Sequence, residues 1–331
     1  VFRYLIRRLL WAVVLFFATT VVTYIIFFAI PANPARQVCG QRATPECIQR
    51  ASDFLGTNKP FYVQYYKFVY RLMPFSFAGG LHAKEPNLGR SFTNRLSVNY
   101  VVGQAAPVTA SLVIGGAIFW MLLALPIGIL SALRPRSLLD RFAMVGVLIG
   151  ISAHPVWIGL IFAYTFGFRL GWFPITNYCN FFNAVGNCGG PVQWAYHLVL
   201  PWATFAILFA ALYVRMIRAN VMETLNEDYV RTARAKGAPE WLVMRSHVLR
   251  NALLPVVTML GMDIGLALGG AIFTETVYGL PGLGKTAITA INNFDLPTVQ
   301  GVVVFATICI IVFNLIVDLL YAVIDPRIRL T

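Results

Sequence analysis

The sequence predicts an all-α polytopic membrane protein with six transmembrane helices and both termini in the cytoplasm. Three observations carry that reading. Of 331 residues, 58% are hydrophobic and only 12% charged, against about a quarter charged in a soluble domain. Apolar runs recur that reach the ~20 residues a helix needs to cross the hydrocarbon. The basic residues sit mostly beside those runs, so the net charge of +13 marks membrane topology and not a nucleic-acid partner.

The first span covers about residues 9–30, behind Arg3, Arg7 and Arg8. It is too long for a signal peptide and ends at Pro31 without a small-residue cleavage site, so residues 1–30 read as a cytoplasmic N-terminus and first helix. Residues 31–104 form a large extracytoplasmic insertion rich in Pro, Gly and Asn. Within it Tyr62, Tyr65, Tyr66 and Phe68 are expected to pack at the membrane surface.

Residues 105–331 make up the core. Spans are expected at about 105–132, 142–166, 199–219, 253–275 and 299–322. Pro107 and Pro126 are tolerated in the second span where neighbours satisfy the freed carbonyls. Polar loops fill 167–198 and the stretch up to Pro297, and a long polar segment fills 221–255. Fifteen Lys and Arg residues fall on the side of the N-terminus, against Arg169 and Lys285 alone in the two short loops opposite. The long insertion carries nine more, but translocated segments of that length escape the positive-inside rule. Segment 221–255 is therefore cytoplasmic.

The cysteines agree with this orientation. Cys39 with Cys47, and Cys179 with Cys188, are close pairs that both fall on the oxidising side, so two disulfides are predicted. Cys309, in the last span, is expected to pack.

The polar segment Asn226–Pro255 is built to be rigid. Asn226 suits an N-cap, and Glu227 and Asp228 place negative charge in a first helical turn. Tyr229 and Ala233 share one helical face, and Arg231 and Arg234 another. Gly237 suits a helix end, and Pro239 the first position of a second helix. Trp241, Met244, Arg245 and Val248 give that helix an amphipathic stripe.

Other motifs are weaker. Gly279–Thr286, GLPGLGKT, matches the phosphate-binding G-x-x-x-x-G-K-[ST] pattern. It lies between two spans on the outer side, with no parallel sheet and no acidic strand end for magnesium, so a Gly/Pro-rich turn is expected there. His82, His154, His197 and His247 are scattered and read as structural; neither metal-ligand spacing nor a G-x-S-x-G turn occurs. Inside the spans, Asp263 and Asn314 are candidates for a hydrated substrate path, with a hydrogen-bond partner in the bundle as the plainer reading for Asp263. Asp318 reads as an anchor near the cytoplasmic end. Gly261, Gly265 and Gly269 permit close approach of another helix, in the bundle or across a subunit interface.

The segments LGTNKPFYVQYYKF, NLGRSF, GWFPITNY, DYVRTARAKG, RNALLPVVT, PGLG and VDLLYAVIDPRIR occur in this order. Together they resemble the B-type permease subunits of the dipeptide/oligopeptide/nickel group of ATP-binding-cassette importers, over nearly the whole chain. The resemblance implies a type I importer permease fold in a bacterial inner (plasma) membrane. It implies a coupling (EAA) loop whose residues Glu227, Asp228, Tyr229, Arg231, Thr232, Ala233, Arg234, Lys236, Gly237 and Glu240 meet a cytosolic ATPase. The generic Glu-Ala-Ala pattern is replaced by Arg231-Thr232-Ala233, and the following Leu-Pro is displaced to Leu254-Pro255, as in peptide-type members. The implied partners are a second homologous permease subunit, two cytosolic ATPase domains holding ATP and magnesium, an extracytoplasmic substrate-binding protein and membrane lipid. The chain itself is expected to hold no cofactor or metal and to catalyse nothing. Peptides are the expected cargo. Nickel or another small solute, and an ion-coupled secondary transporter, are the alternatives.

Overall fold

The computed structural model describes residues 2–29, 35–36, 39, 44–55, 60–73, 75–76, 82–83, 86–182, 188–293 and 295–324. The basic tail from Asp325, which closes the last resembling segment, lies outside the described residues. In chain order, α1 (Phe2–Ala29) is followed by α2 (Pro45–Leu55), α3 (Phe61–Leu72) and a two-residue antiparallel ladder of β1 (Phe75–Ser76) with β2 (His82–Ala83). Then come α4 (Val98–Leu133), α5 (Leu138–Ser152), α6 (Pro155–Arg169) and α7 (Pro191–Leu225). The short α8 (Asp228–Ala235) leads to α9 (Glu240–Ala252) and α10 (Leu254–Ala267). Last come α11 (Ile272–Val277), α12 (Leu283–Asn292) and α13 (Leu296–Ile324).

Among the described residues four helices, α1, α4, α7 and α13, are each long and apolar enough to cross a membrane, and the bent pairs α5–α6 and α9–α10, each counted as one broken span, bring the number up to six, with α10 the apolar part of the second pair. Two of the expected spans differ in the structure. The third bends by 105° between α5 and α6. Pro155 offers no amide to a continuing helix and pushes His154 out of the helical region, to φ −69° and ψ 135°. His154 then caps α6, its Nδ1 accepting from Val156 N at 3.3 Å. The fifth helix stops at Ala267, short of the expected 275, and the polar stretch beyond it holds α11 and α12. By contrast α4 runs through Pro107 and Pro126 without a break.

The centre of the bundle is α4 against α7. Gly115 and Gly128 make the approach possible: a Cβ on Gly115 would lie 2.1 Å from Trp202 Cε2, and one on Gly128 2.9 Å from Ile217. Between them along α4, Trp120 is fully buried and stacks on Phe209 at 4.6 Å. The glycine stripe of α10, continued just past its end at Gly269, serves the same purpose against α13 within this chain. Cβ atoms on Gly261, Gly265 and Gly269 would meet Val317 at 1.9 Å, Phe313 at 2.9 Å and Ala306 at 2.9 Å. Asp318 anchors α13 to α1 through an ion pair with Arg8.

The insertion is fastened to this bundle at two places. Helix α3 turns Phe68 and Tyr65 inward against Tyr24, while Tyr62 and Tyr66 stay exposed. Tyr24 Oη donates to Gln64 Oε1 at 3.2 Å, and Thr20 and Tyr65 hydroxyls meet at 3.1 Å. Farther on, buried Asp295 accepts from Phe92 N (2.9 Å), Thr298 Oγ1 (2.8 Å) and Ser91 Oγ, tying the Asn87–Phe92 stretch to the first turn of α13. The disulfides Cys39–Cys47 and Cys179–Cys188 are both formed.

Candidate coupling interface

Between α7 and α10 the chain makes two short helices locked together. Helix α7 continues to Leu225 because Ile217 and Val221 extend its fully buried stripe. Asn226 closes that helix, its Nδ2 donating to Met222 O at 2.9 Å, so the expected N-cap role falls one residue later, on Glu227. Asp228 keeps its place in the first turn, 3.7 Å from the Arg231 guanidinium. Gly237 ends α8 with φ +78°, a value only glycine adopts cheaply. The exit closes as a Schellman turn: Ala238 N donates to Ala233 O (3.2 Å) and Gly237 N to Arg234 O (2.9 Å). Pro239 is the cap of α9, so the first helical position falls one residue later than expected, on Glu240.

Inside α9, Val243–Leu249 winds as a π-helix. Bonds from i to i+5 put residues five apart on one face, so the buried pair is Val243 and Val248. The expected stripe is corrected accordingly: Val248 is buried and Met244 half-buried, but Arg245 is exposed and Trp241 is 72% exposed. Sequence periodicity missed this because it assumes a constant α-helical turn.

Three ties hold α8 on α9. Val230 is fully buried in the cluster that contains Ile217, Val221, Val243 and Val248. Arg234 grips Glu240 with both ends of its fork, Nε to Oε2 at 3.1 Å and Nη2 to Oε1 at 2.6 Å. That guanidinium holds the Glu240 carboxyl below its ordinary range, and the carboxylate in turn raises Arg234. Asn251 Nδ2 donates to Tyr229 Oη at 3.0 Å. The other site candidates are open to solvent: Glu227, Asp228, Arg231, Thr232, Lys236 and Gly237 are exposed, as is Tyr229 despite its bond to Asn251, and Ala233 is half-buried. Val230 was missed as an anchor, although a lone Val among polar residues was a readable signal.

A second omission lies two turns back along α7. Arg218 pairs with Asp140 in a fork, Nε to Oδ1 at 2.7 Å and Nη2 to Oδ2 at 2.9 Å. Asp140 also accepts from Arg136 N at 2.8 Å and from Ser131 Oγ. One carboxylate therefore fixes the end of α4, the start of α5 and the approach to α8. Ser137 Oγ accepting from Asp140 N at 3.2 Å is the only part of it with a sequence signature, a helix cap.

The two candidate path residues lie on helices that pack together, Asp263 on α10 and Asn314 on α13. Asp263 Oδ2 accepts from Tyr213 Oη at 2.7 Å, the hydrogen-bonded arrangement inside the bundle. Asn314 is half-buried on α13.

The GLPGLGKT turn holds an acid that sequence reading passed over. Glu275 is fully buried on α11. Its Oε1 accepts from Thr109 Oγ1 (2.7 Å) and Ala271 N (3.3 Å), and its Oε2 from Lys285 N (2.8 Å). A Cβ on Gly282 would lie 2.4 Å from the Glu275 carboxyl carbon. Gly282 and the Lys285 amide in the first turn of α12 thus do what such loops do for phosphate, but the anion is the chain's own carboxylate. No set of three or more His, Cys, Asp or Glu side chains among the described residues is placed to hold a metal.

Apolar helices for up to six spans, with a locked two-helix element between α7 and α10 and an acid-locked turn ahead of α12, define a polytopic membrane protein. The model of the binding-protein-dependent transport system inner membrane component matches residues 124–330, and that of the N-terminal part of such membrane components matches residues 1–113. The chain belongs to this family of inner-membrane permease subunits. It is 34% identical to a dipeptide transport system permease protein of Alkalihalophilus pseudofirmus, over 98% of this chain and 99% of that one. It is 36% identical to a probable D,D-dipeptide transport system permease protein of Escherichia coli (98% and 97%). To a di/tripeptide transport system permease protein of Pseudomonas aeruginosa it is 35% identical (98% of each).

Proposed function

We propose that this permease forms one half of the path through which di- and oligopeptides are imported, and that α8 and α9 receive the motion of a cytosolic ATPase. The observation that carries the second half is the triple tie of Val230, Arg234–Glu240 and Tyr229–Asn251. An element so fastened moves with α7 as one body, which a coupling element requires. Peptide cargo follows from the named transport of the relatives at 34–36% identity.

In this reading the second half of the path is a homologous permease subunit. Two ATPase domains bind ATP and magnesium, and this chain catalyses no reaction. A binding protein delivers peptide onto the insertion at 31–104 and the loop at 167–198, while 105–331 carries the path, with Asp263 and Asn314 facing it. Arg231 and Lys236 meet carboxylates on the ATPase; Arg234 is engaged internally by Glu240. Small residues at Ala233 and Gly237 let the two backbones approach.

The test is reconstitution with the partner subunits in proteoliposomes. Gly237→Trp, which strains the left-handed turn and fills the approach to the ATPase, is expected to insert in the membrane but to abolish peptide uptake and its stimulation of ATP hydrolysis. Normal uptake by that variant overturns the coupling role, and peptide uptake without the ATPase subunits overturns the importer reading. The ligand carried by the partner binding protein separates peptide from nickel or another solute.

A further inference from the structure

Where α3 lies on α1 and α13 there is a cavity of about 350 Å³ whose lining is almost wholly apolar. Phe16 and Phe17 of α1 form one wall, Leu72 and Met73 at the end of α3 a second, and Phe305 and Ile308 of α13 a third. Two of these walls are membrane spans. Ile308 is 45% exposed, so the cavity opens on the lipid-facing side of α13. A volume of this size and polarity suits a hydrocarbon chain and offers nothing to a hydrated solute.

The mouth of the cavity is different. Leu88, which also lines it, is followed by Gly89, and a Cβ on Gly89 would lie 3.8 Å from Arg71 Nη1 and 3.9 Å from Pro297 Cβ. Pro297 belongs to the first turn of α13, about two to three turns above Phe305 and Ile308. Arg71 therefore starts beside the apolar wall and carries its guanidinium up to the outer end of α13, as long basic side chains do at a membrane surface. A cation over an apolar slot matches an amphiphile with an anionic head and an aliphatic tail.

We propose that this groove binds one phospholipid of the outer leaflet, an acyl chain lying along Phe305 and Ile308 and the phosphate at Arg71. The fork of Arg71 suits a phosphate oxygen pair. The lipid then fills the seam between the insertion and the last span, so that α3 rests on α13 through it.

The experiment uses the whole transporter in liposomes containing phosphatidylethanolamine with a diazirine in one acyl chain, or diacylglycerol with the same chain. After irradiation, peptide mapping should place phospholipid adducts at residues 72–73 and 304–308. Ile308→Trp, which fills the slot from its exposed side, should lower those adducts at least fivefold while leaving labelling at the exposed Phe142 and Leu148 of α5 unchanged. Arg71→Gln should lower phospholipid labelling several-fold and leave diacylglycerol labelling as it was. Adducts at 304–308 undiminished by Ile308→Trp overturn the tail site. Equal loss of both probes in Arg71→Gln, or loss of neither, overturns the phosphate assignment. Crosslinks from the groove to a partner subunit in place of lipid overturn the proposal.

Discussion

At the scale of single residues, the buried acids dominate. Glu275 and Asp140 are each closed off by three or more donors, so removing either leaves several buried groups unpaired at about 1–3 kcal/mol each. Glu275→Ala should therefore lower the thermal midpoint of the purified complex clearly. Glu275→Gln should lower it too, because its amide NH2 must face either the Lys285 amide or the Thr109 hydroxyl. Detergent-phase melting followed by gel filtration reads both. Arg218→Ala strands the Asp140 carboxylate and should cost about 3–5 kcal/mol. The double substitution Asp140→Leu with Arg218→Met should recover most of that loss, since an apolar pair avoids the stranded charge. Neither acid was legible beforehand. Asp140 looks like an ordinary first-turn Asp, and its true partner lies 78 residues away. Asp263 was legible because a lone acid in an apolar run is conspicuous.

At the scale of elements, α8 and α9 depend on the π turn. Inserting one Ala after Ser246 should set Val243 and Val248 six positions apart and carry Val248 off the face it shares with Val243, away from Val230. The expected result is a complex that assembles but whose ATP hydrolysis no longer responds to peptide-loaded binding protein. The Arg234–Glu240 fork is exposed and open to salt. Because its folded-state value is lowered, Glu240 contributes to locking at neutral pH and ceases to as pH falls through that lowered value. Raised salt and acid should each loosen the α8–α9 contact, read as faster amide exchange in Asp228–Ala235. Gly237 and the Pro after it announced this turn in the sequence. The π turn did not, since nothing in VMRSHVL distinguishes a 4- from a 5-residue step.

At the scale of the whole molecule, a plan of up to six spans was legible from apolar run lengths, and the basic flanks gave each loop an expected side. The bends were not, because Pro155 breaks its helix while Pro107 and Pro126 do not. What differs is the neighbourhood that absorbs the freed carbonyl, a property of tertiary packing. The paired cysteines were legible from spacing and topology together. Replacing Cys179 and Cys188 by Ser should cost at most about 3 kcal/mol locally, read as earlier proteolysis of the 167–198 loop with the spans intact. The Arg218–Asp140 fork also bears on how the chain is made. A ribosome emits the fourth hydrophobic segment long after the second and third, and it arrives carrying an unneutralised guanidinium near its cytoplasmic end. Release of that segment into lipid is cheapest if the earlier hairpin is still waiting at the insertion machinery with its acid exposed. Biogenesis of this protein is therefore expected to proceed by retention of the growing bundle, with helices leaving together and not one at a time.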